Sequence, residues 1–179
     1  MIFVTDAELV AGLKANDDMA YREVVARYGD PLYGYIYSIT GDHHLSEDII
    51  SETYLRMVEK IDGYTFYGAP FKSWLYRIAH NLAINALKRD RRPADTEPAD
   101  VAATSGDPVT TIEARLEFEA LRVALSELTE EQQQVVLLRF VDGQSSREVA
   151  QALDKSENAV KQMLFRALRS LGRLMETHG

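Results

Sequence analysis

The sequence contains no cysteine, so neither disulfides nor thiolate-held metals contribute to its stability. It also lacks any apolar run near the ~20 residues needed to cross a bilayer. The N-terminal stretch Met1-Ile2-Phe3-Val4-Thr5-Asp6 has neither the basic residues nor the long apolar core of a secretory signal. The chain is therefore expected to remain in the cytoplasm, without membrane insertion. No alternating β-branched run bounded by turns is found, which leaves no sheet to expect. No Gly-x4-Gly-Lys-Ser/Thr phosphate loop occurs either. Positive charge is scarce as well: 20 Lys and Arg face 28 Asp and Glu over 179 residues, a net charge of -8. Such a balance argues against a protein that coats nucleic acid by charge alone.

What is present is helical. Val24, Val25, Tyr28, Leu32, Tyr33 and Ile36 recur at the spacings of one apolar stripe, as do Leu45, Ile49, Ile50, Tyr54, Met57, Val58 and Ile61. Three capping boxes mark helix starts, at Thr5 with Glu8, Thr129 with Gln132, and Ser145 with Glu148. In each, a hydroxyl accepts from an orphan amide and the longer side chain three residues on returns the bond. Between them, residues 93–111 hold three prolines, four acids and only two larger apolar side chains, Val101 and Val109. That composition reads as a flexible acidic linker. The expected fold is all-α: two small helical domains, 1–92 and 112–179, joined by a flexible linker, the C-terminal one a helix-turn-helix.

The charge is unevenly spread. Residues 72–93 sum to +5 and residues 155–179 to +3, while 1–71, 94–131 and 132–154 carry -7, -8 and -1. Each basic island falls on a helix with a distinctive pattern. In the C-terminal one, a short helix from Ser145 turns Val149, Ala150 and Leu153 inward. Asp154 and Lys155 break the pattern, and Ser156 caps a second helix with Val160, Leu164, Ala167, Leu168 and Leu171 inside. This is helix-turn-helix spacing, in which small Ala150 permits a close crossing and Asp154 stands where glycine is usual. The outward row is Ser156, Glu157, Asn158, Lys161, Gln162 and Arg166: amides that can pair with adenine edges and cations that can hold phosphates. A small bundle with a solvated basic helix is the plainer alternative.

The other island follows Pro70. Phe71, Trp74, Leu75, Ile78 and Leu82 form its inward stripe, leaving Lys72, Arg77, Asn81, Lys88 and Arg89 on other faces. Just before it, Tyr64, Phe66 and Tyr67 sit in a loop between Gly63 and Gly68. They are expected either to stack on unpaired bases beside the cationic helix or to tuck against their own domain.

The segments Leu45-Ser46-Glu47-Asp48-Ile49-Ile50-Ser51-Glu52-Thr53-Tyr54-Leu55-Arg56, Pro70-Phe71-Lys72-Ser73-Trp74-Leu75-Tyr76-Arg77-Ile78-Ala79-His80-Asn81 and Leu137-Leu138-Arg139-Phe140-Val141-Asp142-Gly143-Gln144-Ser145, with the helix-turn-helix, resemble the bacterial extracytoplasmic-function sigma factors. The resemblance covers residues 18–92 and 112–175. It implies a transcription initiation factor rather than an enzyme, without cofactor or metal, whose partners are core RNA polymerase, promoter DNA and an anti-sigma factor. By that similarity Asp48, Ser51, Glu52 and Leu55 dock on core polymerase. Tyr64, Phe66, Tyr67, Lys72, Arg77, Asn81, Lys88 and Arg89 serve the minus-ten element, where unpaired non-template bases are captured. Ser156, Glu157, Asn158, Lys161, Gln162 and Arg166 read the minus-thirty-five duplex. Ser51 and Val58 depart from the family's usual glutamine and tryptophan. The row Asn158-Ala159-Val160-Lys161-Gln162-Met163 departs from the commoner Gly-Thr-Val-Lys-Ser-Arg.

Three other readings remain. His43/Glu47 and His44/Asp48 are i,i+4 pairs that a metal enzyme could use. A regulator could use the C-terminal domain alone and never join polymerase. A purely helical scaffold would leave both basic islands without a role.

Overall fold

The computed structural model describes residues 5–65, 70–90 and 112–178. Eight α-helices and no strand are formed among them, as an all-α fold requires. The N-terminal unit is α1 (Asp6–Lys14), α2 (Asp18–Thr40), α3 (His43–Lys60) and α4 (Phe71–Asp90), with a single 3-10 turn, Ile61–Gly63, after α3. The C-terminal unit is α5 (Ile112–Ser126), α6 (Glu130–Phe140), α7 (Ser146–Leu153) and α8 (Glu157–His178). The expected linker, 93–111, lies outside the described residues.

The caps form where the sequence puts them. Thr5 accepts from the Glu8 amide while the Glu8 carboxylate accepts from the Thr5 amide, at 3.2 and 3.1 Å. Thr129 with Gln132 and Ser145 with Glu148 make the same reciprocal pair. Such caps satisfy amides that a helix start leaves without partners. α3 begins two residues earlier than Leu45, because Asp42 accepts from the Leu45 amide at 2.9 Å.

In α2 the buried side is Val24, Tyr28, Leu32, Tyr35, Ile36 and Ile39. The expected stripe is thus rotated: Val25 is exposed, Tyr33 half-buried, and Tyr35 fully enclosed. α2 continues through Pro31, whose ring is solvent-exposed and whose helix is held by the packing of its flanking apolar residues. Its end is sharper. Gly41 caps it at φ +65°, and a Cβ there would come within 2.5 Å of the Arg122 side chain on α5. The left-handed turn favours glycine, and a larger residue would also have to displace the outer part of the Arg122 side chain.

Several buried polar groups of the N-terminal unit are paired, while the Tyr54 hydroxyl and His80 Nε2 are enclosed without a hydrogen-bond partner among the described residues. Ser46 and Thr40 share a hydrogen bond at 2.7 Å, and Thr53 donates to the Ile49 carbonyl. The largest buried pair is Tyr35 on α2 and His80 on α4, joined from hydroxyl to Nδ1 at 3.0 Å. Burial pushes the His80 pKa down to about 4, opposed weakly by the Glu130 carboxylate. The folded chain therefore holds a neutral imidazole, and the unfolded chain takes up the proton first. Stability is expected to fall as pH drops from about 6.5 toward 4, by about 3 kcal/mol for this group. Comparing melting temperatures of the wild type and His80→Gln between pH 7 and pH 4 checks this. The variant should lose the steeper part of the slope, and parallel curves would remove His80 as its source.

Candidate nucleic-acid interface

α7 and α8 form the helix-turn-helix. The turn works because Asp154 adopts φ 53°, ψ 50°, the left-handed conformation aspartate tolerates better than most residues. The Lys155 amide then donates to the Ala150 carbonyl at 2.9 Å, closing the α7 end. Ser156 accepts from the Ala159 amide at 3.1 Å and starts α8. Val149, Val160, Ala167 and Leu171 are buried, with Ala150 between the helices. Leu168 differs from the expected inner face: it is exposed, because Ala167 takes the buried position beside it.

All six residues of the expected reading row, Ser156, Glu157, Asn158, Lys161, Gln162 and Arg166, are exposed. Lys161 pairs with Glu157 one turn earlier at 3.2 Å, a geometry of small energetic weight in solvent. The row presents one acid, two amides and two cations along the first three turns, where a duplex groove can be entered.

α4 owes its placement to an aromatic anchor. Phe71 is fully buried against Tyr28 at 5.9 Å, Tyr64 at 6.0 Å and Trp74 at 5.8 Å between ring centres. Leu75, Ala79 and Ala83 are buried as well, whereas Trp74, Ile78 and Leu82 are only half-buried. Tyr64 corrects the sequence expectation of a stacking platform. It is only 5% exposed, its ring lies 4.9 Å from Trp74, and burial pushes its hydroxyl pKa up to about 12. A ring already packed on two others has no free face for a base. Phe66 and Tyr67 lie outside the described residues.

Asn81, Lys88 and Arg89 are exposed on α4. Lys72, Arg77 and Lys88, however, have partners on the C-terminal unit. Lys72 Nζ is 2.8 Å from Asp142 Oδ2, Arg77 donates to the Ala152 carbonyl at 2.5 Å, and Lys88 Nζ is 2.8 Å from Glu130 Oε1. Tyr76 also donates to Asp142, at 2.6 Å, and Gln144 donates to the same carboxylate at 2.7 Å. Burial, and next this bond, push the Tyr76 hydroxyl pKa far up. The Asp142 side chain is 1% exposed, and three donors compensate its charge. None of the contacts between the two units was legible in the sequence, since they join residues 42 to 75 positions apart.

The face expected to dock polymerase is on α3. Asp48, Ser51 and Leu55 are exposed and Glu52 is half-exposed, opposite the buried Ser46, Ile49, Thr53 and Met57. Leu55 is 59% exposed, an apolar side chain in an otherwise polar row. Glu52 binds Arg56 at 3.0 Å. The nearby His43, a candidate for metal binding by spacing, has another engagement. Its Nδ1 is 2.6 Å from the Tyr33 hydroxyl, and its ring stacks on Tyr37 at 4.4 Å.

Residues 24–93 match the family described as Sigma-70 region 2, and residues 118–171 match Sigma-70, region 4. The ECF RNA polymerase sigma factor BldN of Streptomyces coelicolor is 34% identical over 94% of this chain, which spans 65% of that relative's length. The ECF RNA polymerase sigma factor SigX of Bacillus subtilis is 31% identical, over 83% of this chain and 80% of its own. Among solved structures, CnrH in complex with the cytosolic domain of CnrY has a TM-score of 0.71 at 25% identity, covering 97% of this chain and 99% of CnrH. With region 2 and region 4 matched in turn along the chain, and relatives above 30% identity across most of its length, the chain belongs to the ECF sigma factors of the sigma-70 family.

Proposed function

We propose that this chain directs core RNA polymerase to promoters by reading the minus-thirty-five duplex with α8 and the opened minus-ten strand with α4. The carrying observation is the α8 row: six exposed polar side chains on a helix whose opposite side, Val160, Ala167 and Leu171, is buried. Such a helix is built to be held rigidly and to present its outer side. Residues 1–92 act as the region 2 domain and 112–179 as the region 4 domain, with 93–111 as the connector.

On α4, Lys72, Arg77, Lys88 and Arg89 hold phosphates and Asn81 contacts a base. Phe66 and Tyr67 supply the stacking surfaces. The chain performs no catalysis. Stacking worth ~1–3 kcal/mol per unpaired base offsets the cost of opening the duplex, without nucleotide hydrolysis. With a net charge of -8, it binds free DNA weakly and engages promoters when bound to polymerase. It works in the cytoplasm. No helix among the described residues is long and apolar enough to cross a membrane. An anti-sigma protein restrains it, a reading supported by the family resemblance and by the partner-bound state of CnrH.

Reconstitution with bacterial core polymerase, followed by sequencing of transcript 5′ ends, tests this. Starts should lie downstream of one shared pair of sequence elements, and starts indistinguishable from those of core enzyme alone would refute the proposal. The docking face has its own test. Glu52→Arg reverses a charge on α3 and places two arginines one turn apart, which should alter stability by no more than about 1 kcal/mol. Competition for core polymerase should weaken about tenfold or more against wild type. Equal competition by a folded variant would move docking off α3.

A further inference from the structure

Of the four α4 cations that the proposed function assigns to minus-ten DNA, the C-terminal unit already holds three, Lys72, Arg77 and Lys88. Lys72 and Tyr76 converge on the buried carboxylate of Asp142, at 2.8 and 2.6 Å. Arg77 donates into Ala152, a last-turn carbonyl of α7, where an α-helix has unsatisfied acceptors and partial negative charge. Lys88 meets Glu130 in the first turn of α6. Three cations of one helix thus bind three different acceptors on the loop and helices of the other unit. On the flank, Phe118 of α5 stacks on Tyr37 of α2 at 5.4 Å.

From this juxtaposition we infer that the C-terminal unit is an internal clasp over the minus-ten surface, closing it to DNA until the two units part. The inference rests on the reading of α4 as a DNA-binding helix. An ammonium or guanidinium held by an acceptor in the clasp cannot also neutralise a phosphate, so DNA competes with Asp142, Ala152 and Glu130 for the same donors. Apparent affinity is lowered by the fraction of chains that are open: a clasp closed nine-tenths of the time weakens binding about tenfold.

The clasp is selective. The α3 face with Asp48, Ser51 and Leu55 stays exposed, as does the whole α8 row. Polymerase docking and duplex contact are therefore both available to the closed chain, and only the single-strand surface is withheld. This orders the events: docking and minus-thirty-five contact come first, and parting of the units then releases α4 for the unpaired strand. The buried carboxylate makes the clasp two-state in character, since Asp142 is stable when all its donors are present and costly to enclose when they leave.

The test uses the full chain and two variants that leave every α4 cation in place. Tyr76→Phe removes one donor to Asp142 without changing charge, and Asp142→Asn removes the acceptor charge. Glu113→Gln, exposed at the start of α5, controls for the lost acid. A water-soluble carbodiimide joins an ammonium to a carboxylate only where they touch, so peptide mass spectrometry of a Lys88–Glu130 amide measures closure. Fluorescence anisotropy with a labelled single strand of randomised sequence measures exposure of the α4 surface.

Wild type should give the cross-link. Both variants should lower its yield at least threefold and bind the single strand about fivefold tighter or more, with Glu113→Gln close to wild type. Absence of the cross-link in wild type would overturn the clasp and leave the DNA reading of α4 intact. Opened variants with unchanged single-strand affinity would overturn it too. Adding Lys72→Ala and Arg77→Ala to an opened variant should abolish the gain. A gain that persists would instead overturn the reading of α4 as the DNA face, and the role of the clasp with it.

Discussion

Leu137→Ala is expected to unfold the C-terminal unit and leave the N-terminal one standing. Leu137 is 1% exposed, at the centre of a small core with Val135, Leu138, Val149 and Val160. Its carbonyl also accepts from the Val141 and Asp142 amides, which fixes the turn after α6. Truncating a buried leucine costs about 2–5 kcal/mol, comparable to the whole stability of a helical unit this small. Leu137→Met, which nearly conserves volume, should cost less than about 1.5 kcal/mol. The chain offers a built-in probe, because its one tryptophan, Trp74, is on α4. Urea titration followed by Trp74 fluorescence reports the N-terminal unit, and far-UV circular dichroism reports both. In Leu137→Ala the dichroism should lose an early step while the fluorescence midpoint stays near that of wild type. Duplex binding should vanish with the early step. Coincident transitions in the variant would mean that the two units unfold as one, and that α8 depends on the N-terminal core.

Local features of the fold were legible because they depend on residues a few positions apart. The capping boxes at Thr5, Thr129 and Ser145 each need only the side chain three residues on, and all three form. The turn at Asp154 and the small Ala150 likewise specify a helix-turn-helix from within ten residues. What stayed hidden depends on distant partners. Tyr35 and His80 look like polar interruptions of two apolar stripes, yet both are buried, with the Tyr35 hydroxyl and His80 Nδ1 paired across 45 residues. Tyr64 looks like a loop aromatic until Phe71 and Trp74 provide its packing surface. Asp142 reads as a turn acid after α6, and only its donors on α4 reveal a buried charge. The row on α3 proposed to dock polymerase is a different case. Its pattern of exposed Asp48, Ser51 and Leu55 is that of any solvated helix face, and the proposal of a partner there rests on family membership alone.

Substitutions along α8 should separate specificity from affinity. Gln162 is exposed in the second turn of α8, with an amide able to donate to and accept from one adenine edge. Gln162→Ala should cost ~1–3 kcal/mol at particular minus-thirty-five positions and almost nothing at others. Lys161→Ala should weaken every sequence alike and reduce the slope of log affinity against log salt by about 1, as expected for one lost phosphate contact. Its effect has a second source. Lys161 shields the Glu157 carboxylate at 3.2 Å, so removing the ammonium leaves an uncompensated acid facing the phosphates. Glu157→Gln added to Lys161→Ala should therefore recover part of the affinity without restoring the salt slope. Polymerase holoenzyme assembled with each variant, challenged with a library of randomised minus-thirty-five sequences at two salt concentrations, measures both quantities. If Gln162→Ala leaves the selected sequences unchanged while Lys161→Ala alters them, the roles are reversed: the cation reads guanine in the major groove and the amide holds the backbone.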